Sequence, residues 1–261
     1  MTAIPSLPVC PPVRRAEAGP WAIELLPGAA YEARYVASQA AIGFAFDSQH
    51  GVHAIASDRV RPFHALPNGL AFVPPGCDVF SASARGGEYL RVTRTDGTPM
   101  LGDRAFNDVI DQPAIALAQR LRSALLRGAV EQDWEAWALA LAERAGAAQV
   151  PQAPRGSITP RRLRLLDDMI EAGLHAPLTI QAMAAMLEVS EGFFIRAFKA
   201  ATGKSPHSYL IDRRLARARR LLLDPKQGLA GIALACGFAS QAHMATVFRQ
   251  RLGVSPSEIR N

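Results

Sequence analysis

The first 155 of the 261 residues contain no lysine, so every positive charge there is an arginine. The three cysteines, Cys10, Cys77 and Cys236, are far apart and odd in number, which offers no ligand-like spacing and suits a reducing cytoplasm. No apolar run reaches the roughly 18 residues that a spanning helix needs, so no membrane partner is expected. The N-terminus has Pro5, Pro8, Pro11 and Pro12, with Arg14 and Arg15 after rather than before any apolar stretch, and does not read as a secretory signal. Residues 1–20 are expected to be a flexible lead.

Composition supplies what those absences leave. With 49% apolar residues over 261 positions, the chain can form one large or two modest cores. The net charge of +6 is unevenly divided. Gly156 to Asn261 hold 15 Lys+Arg against 8 Asp+Glu, a balance of +7, and the first 155 residues hold 14 against 15, a balance of −1. A concentrated surplus of this kind suits a polyanion, because each contacted phosphate exchanges condensed counterions for a fixed cation. A merely solvated basic face would leave the same count.

Three regions follow along the chain. Short apolar stretches at Ala22–Leu26, Tyr31–Val36, Ala41–Phe46 and Leu70–Val73 are punctuated by Pro27-Gly28, Pro67-Asn68-Gly69, Pro74-Pro75-Gly76 and Gly86-Gly87. That pattern predicts a small sandwich or barrel over 21–106. From Asp111 the period becomes helical: Asp111 caps, Pro113 fits the first turn, Ile115, Ala118, Leu121 and Leu125 form one stripe, and Gly128 ends the helix. Trp134, Trp137, Ala138 and Leu141 predict a second helix within 107–145. These apolar faces either cover the β domain or form a homodimer seam. The small residues and two prolines of 146–159 predict a linker to a last domain at 160–261.

That last domain contains an internal duplication. Met183-Ala184-Ala185-Met186-Leu187-Glu188-Val189-Ser190 matches Ile232-Ala233-Leu234-Ala235-Cys236-Gly237-Phe238-Ala239 in character, 49 positions on. At an offset of 50, Phe198-Lys199 matches Phe248-Arg249, Gly203 matches Gly253, and Ser205-Pro206 matches Ser255-Pro256. A small alanine where helices approach, followed by a turn into a second helix, is helix-turn-helix chemistry. In each Gly-x-Ser-Pro, glycine ends one helix left-handed, serine caps the next and proline fills its first turn. The two units are expected at about 179–203 and 229–253, joined by a helix from Ser205 to Leu222.

Core and reading faces then separate by helical period. Phe194, Ala197 and Phe198, and in the second unit Met244 and Phe248, should face inward. Glu191, Gly192, Ile195 and Arg196, with Gln241, Ala242, Ala245 and Thr246, are the base-reading candidates. An Arg196 guanidinium suits the guanine N7/O6 edge and a Gln241 amide the adenine edge. Thr179, Ser190, Lys199, Lys204, Arg213, Arg217, Ser240 and Arg249 are candidates for phosphate contact.

Over about Pro160 to Asn261 these residues resemble the AraC/XylS family of transcription regulators. Ile232-Ala233-Leu234-Ala235-Cys236-Gly237-Phe238, then Phe248-Arg249, Gly253 and Ser255-Pro256, carry the resemblance. It implies a seven-helix DNA-binding domain, cytoplasmic residence, and one unit in each of two adjacent major grooves. Two departures bear on readout: the family often has Arg where this chain has Thr246, and an aromatic or polar residue where it has Gly192. The N-terminal half is similar to that family's cupin-like sensory domains through its β-rich pattern and Phe72-Val73-Pro74-Pro75-Gly76. This implies an α+β chain with an N-terminal cupin-like β-barrel, a helical dimerisation segment and a C-terminal all-α domain. Its partners would be double-stranded DNA, a small-molecule effector, a second copy of the chain, and RNA polymerase if it activates.

For the effector, Arg59, Arg61, Arg91 and Arg94 suggest an anionic ligand, and Phe44, Phe46, Phe72 and Tyr89 suggest an apolar or sugar-like one inside the barrel. His50, His53 and His64 invite a metal reading, but the sequence has no His-x-His followed by Glu at metal-site spacing, so neither metal nor cofactor is expected. A metal-dependent cupin enzyme with a DNA-binding tail and a ligand-independent DNA binder are the alternatives to a regulator.

Overall fold

The computed structural model describes residues 13–100, 102, 104–130, 132–148 and 158–260. Among the described residues ten strands come first: β1 (Arg14–Ala18), β2 (Trp21–Leu26), β3 (Tyr31–Val36), β4 (Ala41–Ala45), β5 (Gln49–Ile55), β6 (Arg61–Ala65), β7 (Gly69–Val73), β8 (Asp78–Ser83), β9 (Tyr89–Arg94) and β10 (Phe106–Ile110). They form two antiparallel sheets, one ordered β1-β2-β9-β4-β7-β10 and one ordered β3-β8-β5-β6. The strands do not close into one continuous barrel; two sheets face each other across a cavity. β1 lies within the stretch expected as a loose lead, because Arg14–Ala18 pairs in register with Trp21–Leu25 across a two-residue turn.

Period-two alternation sorts the six-stranded sheet into two faces. Ile23, Leu25, Ile42, Phe44, Leu70, Phe72, Leu90 and Val92 point to the side covered by helices. On β4 and β7 the residues of the other parity, Gly43, Ala45, Gly69 and Ala71, are small. They leave the opposite face open enough for a cavity.

Two helices cover the first face: α1 (Gln112–Arg127) and α2 (Trp134–Ala147). Asp111 caps α1 by accepting from the Ala114 N–H at 2.8 Å, and Gly128 ends it at φ 63°. Arg144 of α2 donates to the same Asp111 carboxylate. The helices expected to cover the β domain or to form a dimer seam thus bury their apolar stripes on the sheet. α1 also packs against a helix of the last domain, α8 below.

Residues 149–157 of the expected linker lie outside the described residues. Seven helices follow: α3 (Pro160–Gly173), α4 (Ile180–Met186), α5 (Glu191–Thr202), α6 (Pro206–Leu221), α7 (Leu229–Ala235), α8 (Gln241–Leu252) and α9 (Pro256–Arg260). α6 braces both units. Tyr209 and Leu210, near its start, sit in the core formed with α3, α4 and α5, whereas Ile211, Leu215 and Ala218 join the core of α7 and α8. At 16 residues and ~1.5 Å each it is a strut of about 24 Å. No described helix is long and apolar enough to cross a membrane.

Candidate nucleic-acid interface and ligand cavity

The duplication in sequence is a duplication in capping geometry. Ser190 and Ser240 accept from the N–H groups of Phe193 and His243, at 3.3 and 3.0 Å, and start α5 and α8. Gly203 and Gly253 end those helices, both at φ 75°. Ser205 and Ser255 then cap α6 and α9, with Pro206 and Pro256 in the first turns. The turn inside each unit needs one left-handed residue: Gly237 in the second (φ 78°), Glu188 in the first (φ 53°). At Gly237 a Cβ would also lie 2.2 Å from the Leu174 carbonyl oxygen, so glycine is required there twice over.

Burial divides each second helix as its period dictates. Phe194 and Phe198 are closed into the first core, Met244, Val247 and Phe248 into the second. Glu191, Gly192, Ile195, Arg196 and Lys199 are exposed on α5; Gln241, Ala242, Thr246 and Arg249 are exposed on α8, with Ala245 half-buried. Gly192 has only the Arg196 guanidinium near its missing Cβ, at 3.6 Å, so the start of α5 is open and flat. Thr246 donates its hydroxyl to the Ala242 carbonyl at 3.0 Å, which engages its proton within the helix. His243 was not singled out from the sequence. It is exposed in the first turn of α8, with Nδ1 accepting from the Ala239 N–H at 3.3 Å and its ring edge-on to Phe238. Its position two residues after Gln241 was the available signal.

Two phosphate candidates are engaged elsewhere. The Lys204 ammonium is paired with Asp212, and burial lowers its pKa despite that partner. Arg213 is buried and donates to Glu171 at 2.8 Å, with its Nε 3.6 Å from Asp167. Arg213 lies at a position that helical period alone leaves polar, but α3 closes over it, and Lys204 lies in the turn between α5 and α6 against Asp212 of α6. Arg217 stays half-buried, and Thr179 and Ser190 serve as helix caps.

These internal pairs belong to a polar seam between the two halves. Asp167 of α3 accepts from the Tyr209 hydroxyl at 2.8 Å and lies 3.3 Å from His64 Nε2 of β6. Burial alone would raise its pKa, but His64, Arg213 and the Tyr209 hydroxyl hold it below the usual carboxylate range. Asn68 donates to the Thr202 carbonyl and Gln112 to the Gly203 carbonyl, at 2.9 and 2.8 Å. Glu88 is ion-paired with both Arg122 of α1 and Arg219 of α6.

The cavity between the sheets has a volume of about 420 Å³. Of the residues expected to form an effector site, Tyr89 and Arg91 line it. Phe44 and Phe72 do not, because they sit on the helix-covered face, and Phe46 packs in the same core beneath Arg122. Arg59 and Arg61 are exposed beside the β5–β6 turn, and Arg94 is held by Asp96 and lies over Trp21. What sequence reading did not assign to the cavity was the facing wall, Tyr31, Tyr35, His53 and Phe63 on alternate positions of β3, β5 and β6, and Asn107 and Asp108 of β10, an edge strand of the same sheet as Tyr89 and Arg91. Among the described residues, the three groups close enough to share a metal ion, His50, His64 and Asp167, lie at the seam and not in this cavity.

A family model described as a helix-turn-helix domain matches residues 183–261. The regulator ArgR of Pseudomonas aeruginosa is 36% identical over 93 residues, covering 36% of this chain and 28% of that protein. The transcriptional activator RhaS of Escherichia fergusonii is 36% identical over 102 residues, covering 39% of this chain and 37% of that one. Among solved structures, a Chromobacterium violaceum regulator described as AraC-type is 33% identical with a TM-score of 0.37, over 38% of this chain and 89% of that one. The last domain is a helix-turn-helix domain similar to the AraC-type DNA-binding domain of that regulator. The chain spans 28% and 37% of the length of these two curated relatives.

Proposed function

We propose that this chain is a sequence-specific DNA-binding transcription regulator whose N-terminal cavity takes a small effector. The observation that carries the reading is the paired exposure of α5 and α8, each started by a serine cap, each with its aromatic side inward, and both fixed to the same strut. Helix starts of this kind present backbone N–H groups to phosphate and side chains to base edges. In this reading Glu191, Gly192, Ile195 and Arg196 enter one major groove, and Gln241, Ala242, Ala245 and Thr246 the next. Thr179, Ser190, Lys199, Arg217, Ser240 and Arg249 meet the flanking phosphates.

The cavity connects to that surface through Glu88. Its neighbours Gly87 and Tyr89 line the cavity, and its carboxylate reaches Arg219 on the strut. A ligand that prefers one position of this segment biases how α6 and both reading helices are held. Two copies on paired half-sites, and contact with RNA polymerase where transcription is activated, complete this reading.

A metal-dependent cupin enzyme requires ligands converging in the cavity. His53 and Asp108 are the histidine and carboxylate of the described wall, and His50 and His64 fall on the opposite parity of β5 and β6.

Selection of binding sites from random duplex DNA by the full chain tests the function. Enrichment of one motif, lost in Arg196→Ala together with Gln241→Ala, is expected. Recovery of unrelated sequences contradicts the proposal.

A further inference from the structure

β10 does not keep a regular alternation. Its register with β7 slips between Phe106 and Val109, and Asp108 in the slip has φ 60°, left-handed for a non-glycine residue. Phe106 stacks on Phe72 and Val109 is buried in the same core, so both point to the helix-covered face. The two residues between them, Asn107 and Asp108, both line the cavity. Regular pairing would turn Asp108 into the hydrophobic core; the bulge re-aims its carboxyl into the cavity. Across the pair, the missing Cβ of Gly69 would lie 3.0 Å from Asp108 Oδ1, so glycine there leaves the oxygen unobstructed.

Among the described residues the Asp108 carboxyl has no hydrogen-bond or ion-pair partner. Asp108 is exposed to water within the cavity, and the surrounding walls push its pKa up to about 6 against the opposing effect of His64. Arg91 is the lining cation, and Glu24 holds it at 2.7 and 2.8 Å. Burial lowers the His53 pKa, which favours the neutral ring. The uncompensated charge of the cavity is therefore negative. Gln49 adds a buried acceptor, Oε1, with no hydrogen-bond partner among the described residues. Tyr31, Tyr35 and Phe63 supply aromatic surface suited to an apolar body or a cation.

Taking the cavity as the effector site, we propose that its ligand is a small organic cation, a primary or secondary amine on an apolar or aromatic body, with the ammonium anchored by Asp108. A carboxylate or phosphate ligand would meet repulsion from Asp108 and find Arg91 already paired. The arginines that suggested an anion from sequence lie, Arg91 apart, outside the wall.

Ligand-observed NMR titrations of the full chain at pH 7.5 with phenethylamine, phenethyl alcohol and phenylacetate test this, each repeated on Asp108→Asn. Asparagine tolerates the left-handed backbone, so the variant keeps the bulge. Phenethylamine should bind at least tenfold tighter than the alcohol, phenylacetate should be weakest, and Asp108→Asn should remove the amine's advantage without changing the alcohol. Lowering the pH from 7.5 to 5 should weaken the amine severalfold. Equal or tighter binding of the alcohol or phenylacetate, displaced by the cavity-filling Ala71→Trp, overturns the cation assignment and keeps the effector cavity. No binding of any probe, or binding that Ala71→Trp leaves intact, overturns both.

Discussion

Glu88, just before β9, forms an ion pair with Arg219 of α6, and Arg122 of α1 closes on the same carboxylate. The acid is 3% exposed, so two cations from different elements converge on a group largely removed from water. Removing one partner of such a cluster leaves the others buried and unpaired. Glu88→Ala should lower the unfolding free energy by about 3–5 kcal/mol, read as a lower urea midpoint. An unchanged midpoint would show that the seam does not couple the halves.

The division of labour on the reading helices predicts distinct losses. Arg196→Ala and Gln241→Ala should each cost about 1–3 kcal/mol on the selected site and relax preference locally. Lys199→Ala should weaken selected and random DNA alike and reduce the salt slope by about one. Fluorescence anisotropy at several salt concentrations separates the two patterns. Identical profiles for all three variants contradict the assignment.

Asp108 predicts a pH effect of unusual sign for a carboxylate. Its folded pKa, about 6, lies above the ordinary value of 3.8, so the folded state holds the proton more tightly. This group's contribution to stability therefore falls as pH rises from about 4 to 6. Asp108→Asn should be more stable than the parent at pH 7.5, with the gain shrinking toward pH 4. Thermal unfolding across that range measures it; a variant less stable at pH 7.5 would contradict the desolvated carboxyl.

The two inner turns use the same left-handed position with different residues. Glu188→Gly relieves a non-glycine φ of 53° and should stabilise by about 0.5–1 kcal/mol. Gly237→Ala meets the Leu174 carbonyl and should destabilise by more than 2 kcal/mol. Chemical denaturation of both variants checks the pair of signs.

The helical half was legible because its signals are local. Ser190, Gly203, Ser205 and Pro206, and their counterparts fifty residues on, fix helix ends through contacts within a few residues. Arg213 was not legible, since its partners Asp167 and Glu171 are set by the packing of α3 against α6, nor was Lys204, whose partner Asp212 lies along α6 beyond the turn. In the β half, Ala22–Leu26 and Tyr31–Val36 stood out as apolar runs. β5 and β8 did not, because their polar residues Gln49, His53 and Ser81 face a cavity. Phe44 and Phe72 were assigned to that cavity on hydrophobicity. Both faces of the sheet are enclosed, one by α1 and α2, and parity places the large residues under the helices and the small ones at the void. The bulge at Asp108 depends on pairing with β7 and has no local sequence signature.

The central claim is that two braced helix-turn-helix units occupy neighbouring major grooves. Hydroxyl-radical footprinting of the full chain on a selected site tests it most directly. The account predicts two protected patches per copy, about 10.5 base pairs apart, with Arg196→Ala weakening one and Gln241→Ala the other. A single patch, or protection that both substitutions weaken uniformly, would contradict it.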